Sequence, residues 1–191
     1  MVIVKDDFLT EDELKLVWKE VDFLSDKLFP PAETGSAKDD NTGESLKKNT
    51  GVFLNRIMDV NYSSIQSILG KVFNKEFVDE AVKVNPLFNY LPRINVCSHL
   101  INYYDKDDFY KEHSDASVLS GILFLFKEPK KFEGGELVFT ETGQWITPTN
   151  NSFVLFPSYM RHEVKPIAME EANTGYGRYS IASFLTINHF E

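Results

Sequence analysis

The spacing of apolar residues changes once along the chain, near Pro92, and this change constrains the fold more than any other feature. Before it, apolar side chains recur every three or four residues, as on one face of an α-helix. After it, they alternate with polar residues, as in β-strands that bury one side. The sequence therefore predicts an α+β fold, with mainly helical support from residues 1–91 and a β-barrel core over residues 92–191.

Two helical stretches are predicted in the first half. Thr10 and Glu13 match a capping box, in which a hydroxyl and a carboxylate each satisfy a free backbone N–H group. An apolar stripe then runs from Leu14 to Leu28 and ends at two prolines. A second stripe predicts helix over 63–77, after a short strand over 51–55.

Residues 31–51 carry almost no apolar side chains, and they predict a long mobile loop. Loops of this length are either functional, for example as lids over a site, or disordered. The pair Lys47 and Lys48 inside this loop, like the basic run from Lys127 to Lys131, is interpreted as solvated.

The second half predicts a compact β-structure of short strands, separated by turns rich in Gly, Pro and Asn. Helices packed on the outside of a β-barrel or sandwich fit this order of elements, and no linker divides residues 1–191 into separate domains. The predicted strands cover residues 93–104, 109–113, 119–126, 135–140, 152–156, 161–166 and 178–188.

Composition excludes several classes of protein. The net charge of −9 makes a nucleic-acid partner unfavoured, because phosphate backbones are bound by clustered Lys and Arg. Cys97 is the one cysteine, so no intrachain disulfide can form, and its apolar neighbours suit a small buried side chain. The N-terminus lacks a signal-peptide pattern, and no apolar run approaches the roughly 20 residues that span a bilayer. We therefore expect a cytoplasmic protein without a membrane partner.

Three side chains match the facial arrangement of a non-haem iron site. His113 and Asp115 are two residues apart, so in extended backbone they leave the same face of a strand. His162 opens another predicted strand. Two imidazoles and one carboxylate leave three coordination positions open, which suits Fe(II) oxygenases. A structural zinc site would need four closed ligands, which this chain does not supply.

Each element of this pattern has a simpler interpretation when it is taken alone. His113 and Asp115 could be surface neighbours, and Tyr103 could be a core or rim tyrosine rather than a cavity residue. Arg178 and Ser180 share one face of the last strand, where a guanidinium and a hydroxyl suit a distal carboxylate, although an arginine at a strand start is often on the surface. The occurrence of all these residues together, in this order along the chain, favours a metal site with a carboxylate-binding pair beside it.

The motifs together resemble the 2-oxoglutarate- and Fe(II)-dependent oxygenases, most closely the prolyl 4-hydroxylase family. They are Asn102-Tyr-Tyr, Tyr110-Lys-Glu-His-Ser-Asp115, Gly134-Gly-Glu-Leu, Leu155-Phe-Pro, Arg161-His-Glu-Val-Lys-Pro and Arg178-Tyr-Ser180. The resemblance covers about residues 96–188 and, less specifically, 8–24 and 50–55. It implies a double-stranded β-helix, that is, a jelly-roll or cupin-like barrel, with the N-terminal helices packed outside it.

The resemblance also implies roles for single residues. His113, Asp115 and His162 would bind iron, Arg178 and Ser180 would hold the C5 carboxylate of 2-oxoglutarate, and Tyr103 would contact this co-substrate. Two features depart from the family pattern. Phe124 stands where related members often have a tyrosine that points at the co-substrate, and the insert over 169–177 lengthens the gap before Arg178.

The activity that the resemblance implies is hydroxylation of an unactivated C–H bond by O2, with 2-oxoglutarate as co-substrate and ascorbate as a further candidate ligand. The leading substrate is a prolyl residue in a peptide or protein, with a free amino acid, another residue type or a small metabolite as alternatives. A non-catalytic metal-binding β-barrel module is the alternative of another class. The sequence leaves the oligomeric state open.

The remaining histidines and tryptophans are interpreted without a catalytic role. His99 lies in the strand pattern before His113 and predicts a core or inter-strand histidine, whereas His189 trails the last strand and predicts a solvated one. Trp18 and Trp145 are interpreted as packing residues.

Overall fold

A computed structural model describes residues 2–39 and 41–188, so the prediction for His189 lies outside the described residues. Three α-helices occupy the first half: α1 (Glu11–Leu24), α2 (Ser64–Leu69) and α3 (Lys75–Val84). Short 3-10 segments cover Ser25–Lys27, Leu54–Arg56, Val60–Tyr62, Gly70–Phe73 and Pro86–Arg93. Nowhere in the described ranges is a helix long and apolar enough to cross a membrane.

Thirteen strands accompany these helices in the described residues. In chain order they are β1 (Ile3–Lys5), β2 (Lys47–Lys48), β3 (Thr50–Phe53), β4 (Val96–Tyr104), β5 (Phe109–His113), β6 (Leu119–Leu125), β7 (Glu133–Gly134), β8 (Leu137–Phe139), β9 (Gln144–Ile146), β10 (Ser152–Pro157), β11 (His162–Val164), β12 (Ile167–Ala168) and β13 (Arg178–Thr186).

The strands form two main antiparallel sheets. The larger sheet has the order β1-β10-β6-β13-β4-β3, and the smaller has the order β2-β5-β11-β8-β9. The strands β7 and β12 pair separately. Residues of both sheets line one cavity, so the sheets lie on either side of it.

The helices pack against the outer face of the larger sheet. Their buried side chains join those of the sheet in one apolar cluster, which includes Val17, Val21, Leu24, Ile65, Ala81, Leu123, Phe153 and Ile181. Fully burying an aliphatic or aromatic side chain stabilises the fold by about 1.5–3 kcal/mol, so this cluster fixes the helices on the sheet. The opposite face of the sheet is left to line the cavity.

The first helix begins as predicted. The Thr10 hydroxyl accepts a hydrogen bond from the backbone of Glu13, and the Glu13 carboxylate accepts one from the backbone of Thr10. The α-helix ends at Leu24 rather than near Leu28, because the chain tightens into a 3-10 turn there.

All seven strands predicted in the second half are present, and the short strand predicted over 51–55 is present as β3 (Thr50–Phe53), but the prediction of regular structure was incomplete elsewhere. Helix α3 was missed, and residues 63–77 divide into α2 and a 3-10 turn. The edge strands β1 and β9 and the separately paired strands β7 and β12 were also missed. Trp145 in β9 is 57% exposed, so its interpretation as a packing residue was wrong, whereas Trp18 packs edge-on against Tyr179.

The segment 31–51 has more structure than the sequence predicted. Lys38 and Ser45 form an isolated β-bridge, and β2 and the start of β3 lie within the segment. The backbone N–H of Ala37 donates to the Tyr110 hydroxyl at 3.2 Å. These contacts hold the segment against the cavity.

Candidate active site

Strand pairing brings the three predicted ligands together. His113 ends β5, Asp115 follows two residues later, and His162 begins β11 directly opposite His113 in the antiparallel register. His113 Nε2 lies 3.7 Å from Asp115 Oδ1, and His162 Nε2 lies 3.8 Å from Asp115 Oδ2. One ligand atom from each residue falls within 4.8 Å of the other two, a spacing that can hold a metal ion.

Backbone carbonyls fix the orientation of both imidazoles. His113 Nδ1 lies 2.9 Å from the Lys111 carbonyl oxygen, and His162 Nδ1 lies 2.8 Å from the Met160 carbonyl oxygen. A carbonyl only accepts, so each Nδ1 carries the proton and each Nε2 presents its lone pair to the centre. Burial, assisted by His162, lowers the pKa of His113 to about 3, so this ring stays neutral, as a metal ligand must be.

A serine cluster supports the carboxylate of Asp115. The Ser120 hydroxyl donates to Asp115 Oδ2 at 2.5 Å, and Ser158 Oγ lies 2.7 Å from Ser120 Oγ. The backbone N–H of Asp115 donates to the carbonyl oxygen of Ser158 at 3.0 Å. The sequence prediction missed this cluster, because Ser120 and Ser158 meet only through the pairing of β6 with β10.

Ser120→Ala is expected to weaken metal binding by roughly 10–100-fold, because outer partners orient a metal-binding carboxylate. Ser117→Ala is the matched control, since Ser117 joins the same serine cluster without contacting Asp115. Titration of both variants with Fe(II) under anaerobic conditions measures the effect. Equal affinities in the two variants would show that Ser120 does not position Asp115.

Arg178 lies in the wall of the same cavity, which has a volume of about 340 Å³. Its side chain is 1% exposed, and the guanidinium lies over the rings of Tyr104 and Phe124, 4.9 and 4.8 Å from their centroids. Nη1 is 3.4 Å from the Ser180 hydroxyl, while Nε and Nη2 have no hydrogen-bond partner among the described residues. Burial lowers the pKa of Arg178 to about 10, so it remains a cation with two donors to offer.

Tyr103 does not take the place that the sequence predicted for it. Its ring lies on the helix-facing side of β4, tilted against Tyr179, and its hydroxyl accepts from the backbone of Gly177. Tyr104, one residue later, lines the cavity instead. Burial raises the pKa of Tyr104 to about 12, so the phenol keeps its proton and can donate to an anion.

Lys47 also departs from its predicted place. It is 4% exposed and lines the cavity, so its interpretation as a solvated loop residue was wrong. Strand alternation explains the difference, since Lys47 pairs with Tyr110 and faces inward while Lys48 faces outward and pairs with Asp108 at 3.4 Å. Burial lowers the pKa of Lys47 to about 8.

The insert over 169–177 does not line the cavity. It is held to the turn after β4, where the backbone N–H of Asn173 donates to Asp105 Oδ2 at 2.7 Å and Lys106 Nζ donates to the Glu170 carbonyl at 2.9 Å.

Gly135 leaves space for the Arg178 side chain and supplies no functional group of its own. A Cβ at that position would lie 2.8 Å from Arg178 Cδ, and the backbone φ is +72°.

His99 is a core histidine, as predicted. It is 5% exposed, its Nδ1 lies 2.9 Å from Ser183 Oγ, and it belongs to the helix-covered side of the larger sheet. Burial lowers the pKa of His99 to about 4. The ring is therefore neutral in the folded protein at neutral pH, and it is separate from the metal-ligand cluster.

The buried neutral His99 predicts a loss of stability in acid. The unfolded chain takes up a proton near pH 6.5 but the folded chain only near pH 4, so the free energy of unfolding falls between these values. For His99 alone we expect a decrease of about 2 kcal/mol from pH 7 to pH 5. Urea unfolding of the wild type and of His99→Gln at both pH values isolates this contribution. An identical decrease in both proteins would contradict it.

Comparison with known proteins supports the assignment of the fold. Residues 98–186 match the sequence model of a family described as the 2OG-Fe(II) oxygenase superfamily. A PKHD-type hydroxylase of Aliarcobacter butzleri is 29% identical over 109 residues, which cover 49% of this chain and 48% of that protein. An uncharacterized PKHD-type hydroxylase of Synechocystis is 28% identical over 96 residues, which cover 40% of this chain and 32% of that protein. The chain thus matches about a third to a half of the length of these curated relatives.

The likeness to a solved structure extends over nearly the whole chain. The crystal structure of a Pseudomonas putida prolyl-4-hydroxylase superposes with a TM-score of 0.62 at 17% identity, covering 98% of this chain and 93% of that chain. This likeness concerns the fold, a mixed structure of helices and antiparallel sheets. Residues 98–186 are thus similar in sequence to the 2OG-Fe(II) oxygenase superfamily, and the fold of the chain is similar to that of a prolyl-4-hydroxylase.

Proposed function

We propose that the chain is an Fe(II)- and 2-oxoglutarate-dependent dioxygenase in which His113, Asp115 and His162 hold the iron. One observation carries the proposal. A cavity that contains a cluster of three possible metal ligands also contains a fully buried arginine, and in residues 2–39 and 41–188 its Nε and Nη2 find no hydrogen-bond partner. Unpaired buried donors cost free energy unless a ligand satisfies them, and a dicarboxylate that reaches both the metal and Arg178 would do so.

Different side chains of the cavity would bind the metal and the distal carboxylate of the co-substrate. Arg178, Ser180 and Tyr104 would hold the distal carboxylate of the co-substrate, with the Tyr104 hydroxyl supplying the hydrogen bond that Phe124 cannot. When bound, iron and 2-oxoglutarate supply the oxidising chemistry, in which O2 is consumed, the co-substrate becomes succinate and CO2, and one oxygen atom enters a C–H bond. The apolar walls exclude water from the reacting atoms.

We also propose the finer architecture that the family resemblance implies. The two sheets would constitute a double-stranded β-helix, and residues 1–191 would act as a single oxygenase domain. In support, the proposed ligands lie in strands of the smaller sheet or just after one of them, the proposed carboxylate site lies in the larger sheet, and residues of both sheets line the cavity. The residues Thr34 to Ala37 also line this cavity, so the segment 31–51 would act as a lid over bound substrate.

The leading substrate is a prolyl residue in a peptide or protein. The cavity wall includes Phe53, Leu100 and Phe184, an apolar surface suited to a pyrrolidine ring. Phe53 belongs to the segment 49–54, which resembles the substrate-side strand of prolyl hydroxylases. Ascorbate would act as the reductant that keeps the iron ferrous, and we assign no binding residue to it.

A peptide array that contains proline peptides and matched alanine peptides tests this function. We expect a mass gain of one oxygen atom on proline peptides, dependent on Fe(II) and 2-oxoglutarate and increased by ascorbate. Free amino acids assayed in parallel test the alternative substrate class. If 2-oxoglutarate is consumed but no proline compound gains oxygen, the prolyl assignment fails and the oxygenase assignment stands. If neither occurs and no iron is retained anaerobically, both fail.

A further inference from the structure

Lys47 brings a buried positive charge into the cavity beside the metal-ligand cluster. Its Nζ lies 5.5 Å from the centroid of the Tyr110 ring, and that ring stacks on the His113 imidazole with centroids 3.5 Å apart. The backbone of Lys47 is fixed by pairing with Tyr110 and by hydrogen bonds with the Ser45 hydroxyl on both its N–H and its carbonyl. The strand thus directs this amine at the space next to the metal ligands.

Within the described part of the chain, the contact of the Lys47 amine is with the Tyr110 ring, and no ion pair compensates its charge. No carboxylate oxygen there lies within 4.0 Å of its Nζ, whereas the outward-facing Lys48 pairs with Asp108. Residues 2–39 and 41–188 contain no other buried lysine. A buried ammonium without a counter-charge is costly, so a position of this kind is explained most simply by a ligand that arrives later.

The charges that line the cavity define the sign of that ligand. Lys47 and Arg178 are cations, and Asp115 is the one carboxylate among the described lining residues. Under the proposed function, the positive charge of Fe(II) and the negative charge of the two carboxylates of 2-oxoglutarate cancel one another. One positive charge then remains among the lining side chains, where partial burial strengthens its attraction to an opposite charge.

We propose that Lys47 binds a carboxylate of the substrate, which makes it a specificity-determining residue of this oxygenase. The inference rests on the proposed function and narrows its substrate class to molecules with a carboxylate near the oxidised C–H bond. Two sources supply this chemistry. One is the α-carboxylate of a free amino acid such as proline, and the other is an Asp or Glu side chain next to the target residue in a peptide.

A binding experiment without turnover distinguishes these sources. The full chain is loaded with Mn(II) and saturating 2-oxoglutarate under anaerobic conditions, and probes are titrated by calorimetry. One pair of probes is L-proline and L-prolinamide. The other is a set of peptides in which the residue beside proline is Glu or Gln, or Asp or Asn. The proteins compared are the wild type, Lys47→Met, Lys47→Arg and, as matched control from the same strand, Lys48→Met.

We expect the wild type to bind the carboxylate member of at least one pair roughly 30-fold or more tightly than its amide partner. Lys47→Met should reduce this preference to less than roughly threefold, whereas Lys47→Arg and Lys48→Met should retain most of it. The pair that shows the preference identifies the source. The affinity for 2-oxoglutarate should be the same in all four proteins, which also shows that the variants are folded.

Three results would overturn the inference. The first is a wild type that binds 2-oxoglutarate but binds the carboxylate and amide probes equally or not at all. The second is a preference for the carboxylate probe that survives in Lys47→Met. The third is a loss of 2-oxoglutarate affinity in Lys47→Met, which would assign the amine to the co-substrate. Failure of the wild type to bind 2-oxoglutarate at all would instead refute the proposed function, and the inference with it.

Discussion

Asp115→Ala is expected to abolish iron binding and 2-oxoglutarate turnover, with a loss greater than the roughly 10–100-fold typical of residues that only support a metal ligand. Asp115 is the one carboxylate among the described residues that line the cavity. Its removal leaves only the two imidazoles of the proposed ligand set, and it leaves the Ser120 hydroxyl without its carboxylate acceptor. Anaerobic Fe(II) titration and CO2 release from 2-oxoglutarate measure the two losses separately.

Asp108→Asn is the matched control for this variant. Asp108 is also buried, but it accepts from the backbone of Asp105 and pairs with Lys48 rather than lining the cavity. We expect Asp108→Asn to bind iron like the wild type. Iron binding that survives in Asp115→Ala at wild-type affinity would contradict the assignment of Asp115 as a ligand.

Arg178→Met is expected to raise the Kd for 2-oxoglutarate by roughly 10²–10³-fold, because truncating one side of a buried charge pair costs about 2–5 kcal/mol. Affinity for iron alone should be unchanged. The unliganded variant should be no less stable than the wild type, since methionine removes two buried donors that have no partner in the part of the chain that the structure describes. Calorimetric titration with 2-oxoglutarate and thermal unfolding of the unliganded protein test these expectations.

Arg161→Met provides the comparison for Arg178→Met. Arg161 directly precedes the proposed ligand His162, but its exposed guanidinium pairs with Glu112 at 2.6 Å. We expect this variant to bind 2-oxoglutarate like the wild type. An equal effect of the two substitutions would mean that general electrostatics, and not a contact with Arg178, governs co-substrate binding.

The shared faces of His113 with Asp115 and of Arg178 with Ser180 could be predicted because period-two alternation encodes which residues share a face, whereas His162 was chosen for its place on a strand after the Leu155-Phe-Pro turn. His113 and Asp115 are two apart, as are Arg178 and Ser180, and the structure places each pair beside the same cavity. The same rule explains the error at Tyr103. A shift of one residue reverses the face of a strand, so the neighbouring Tyr104 lines the cavity while Tyr103 packs towards the helices.

Lys47 and Ser120 could not be placed from the sequence, because their surroundings arise from pairing between distant segments. The strand β2 has only two residues, too few for an alternating pattern, and β5 pairs with it across more than 60 positions of sequence. Local composition therefore indicated a solvated lysine in a loop. Helix α3 overlaps the predicted stretch 63–77 only in its first three residues, and no helix was predicted over the rest of it.

We propose that His113, Asp115 and His162 bind an iron ion at which 2-oxoglutarate is the co-substrate. The most direct test is Fe(II)-dependent CO2 release from 2-oxoglutarate by the wild type and by His113→Ala, each supplied with O2 and the proline peptides. We predict CO2 release that requires added Fe(II) in the wild type and none above background in His113→Ala. Equal release by both proteins, or no release by the wild type under any of these conditions, would contradict the claim.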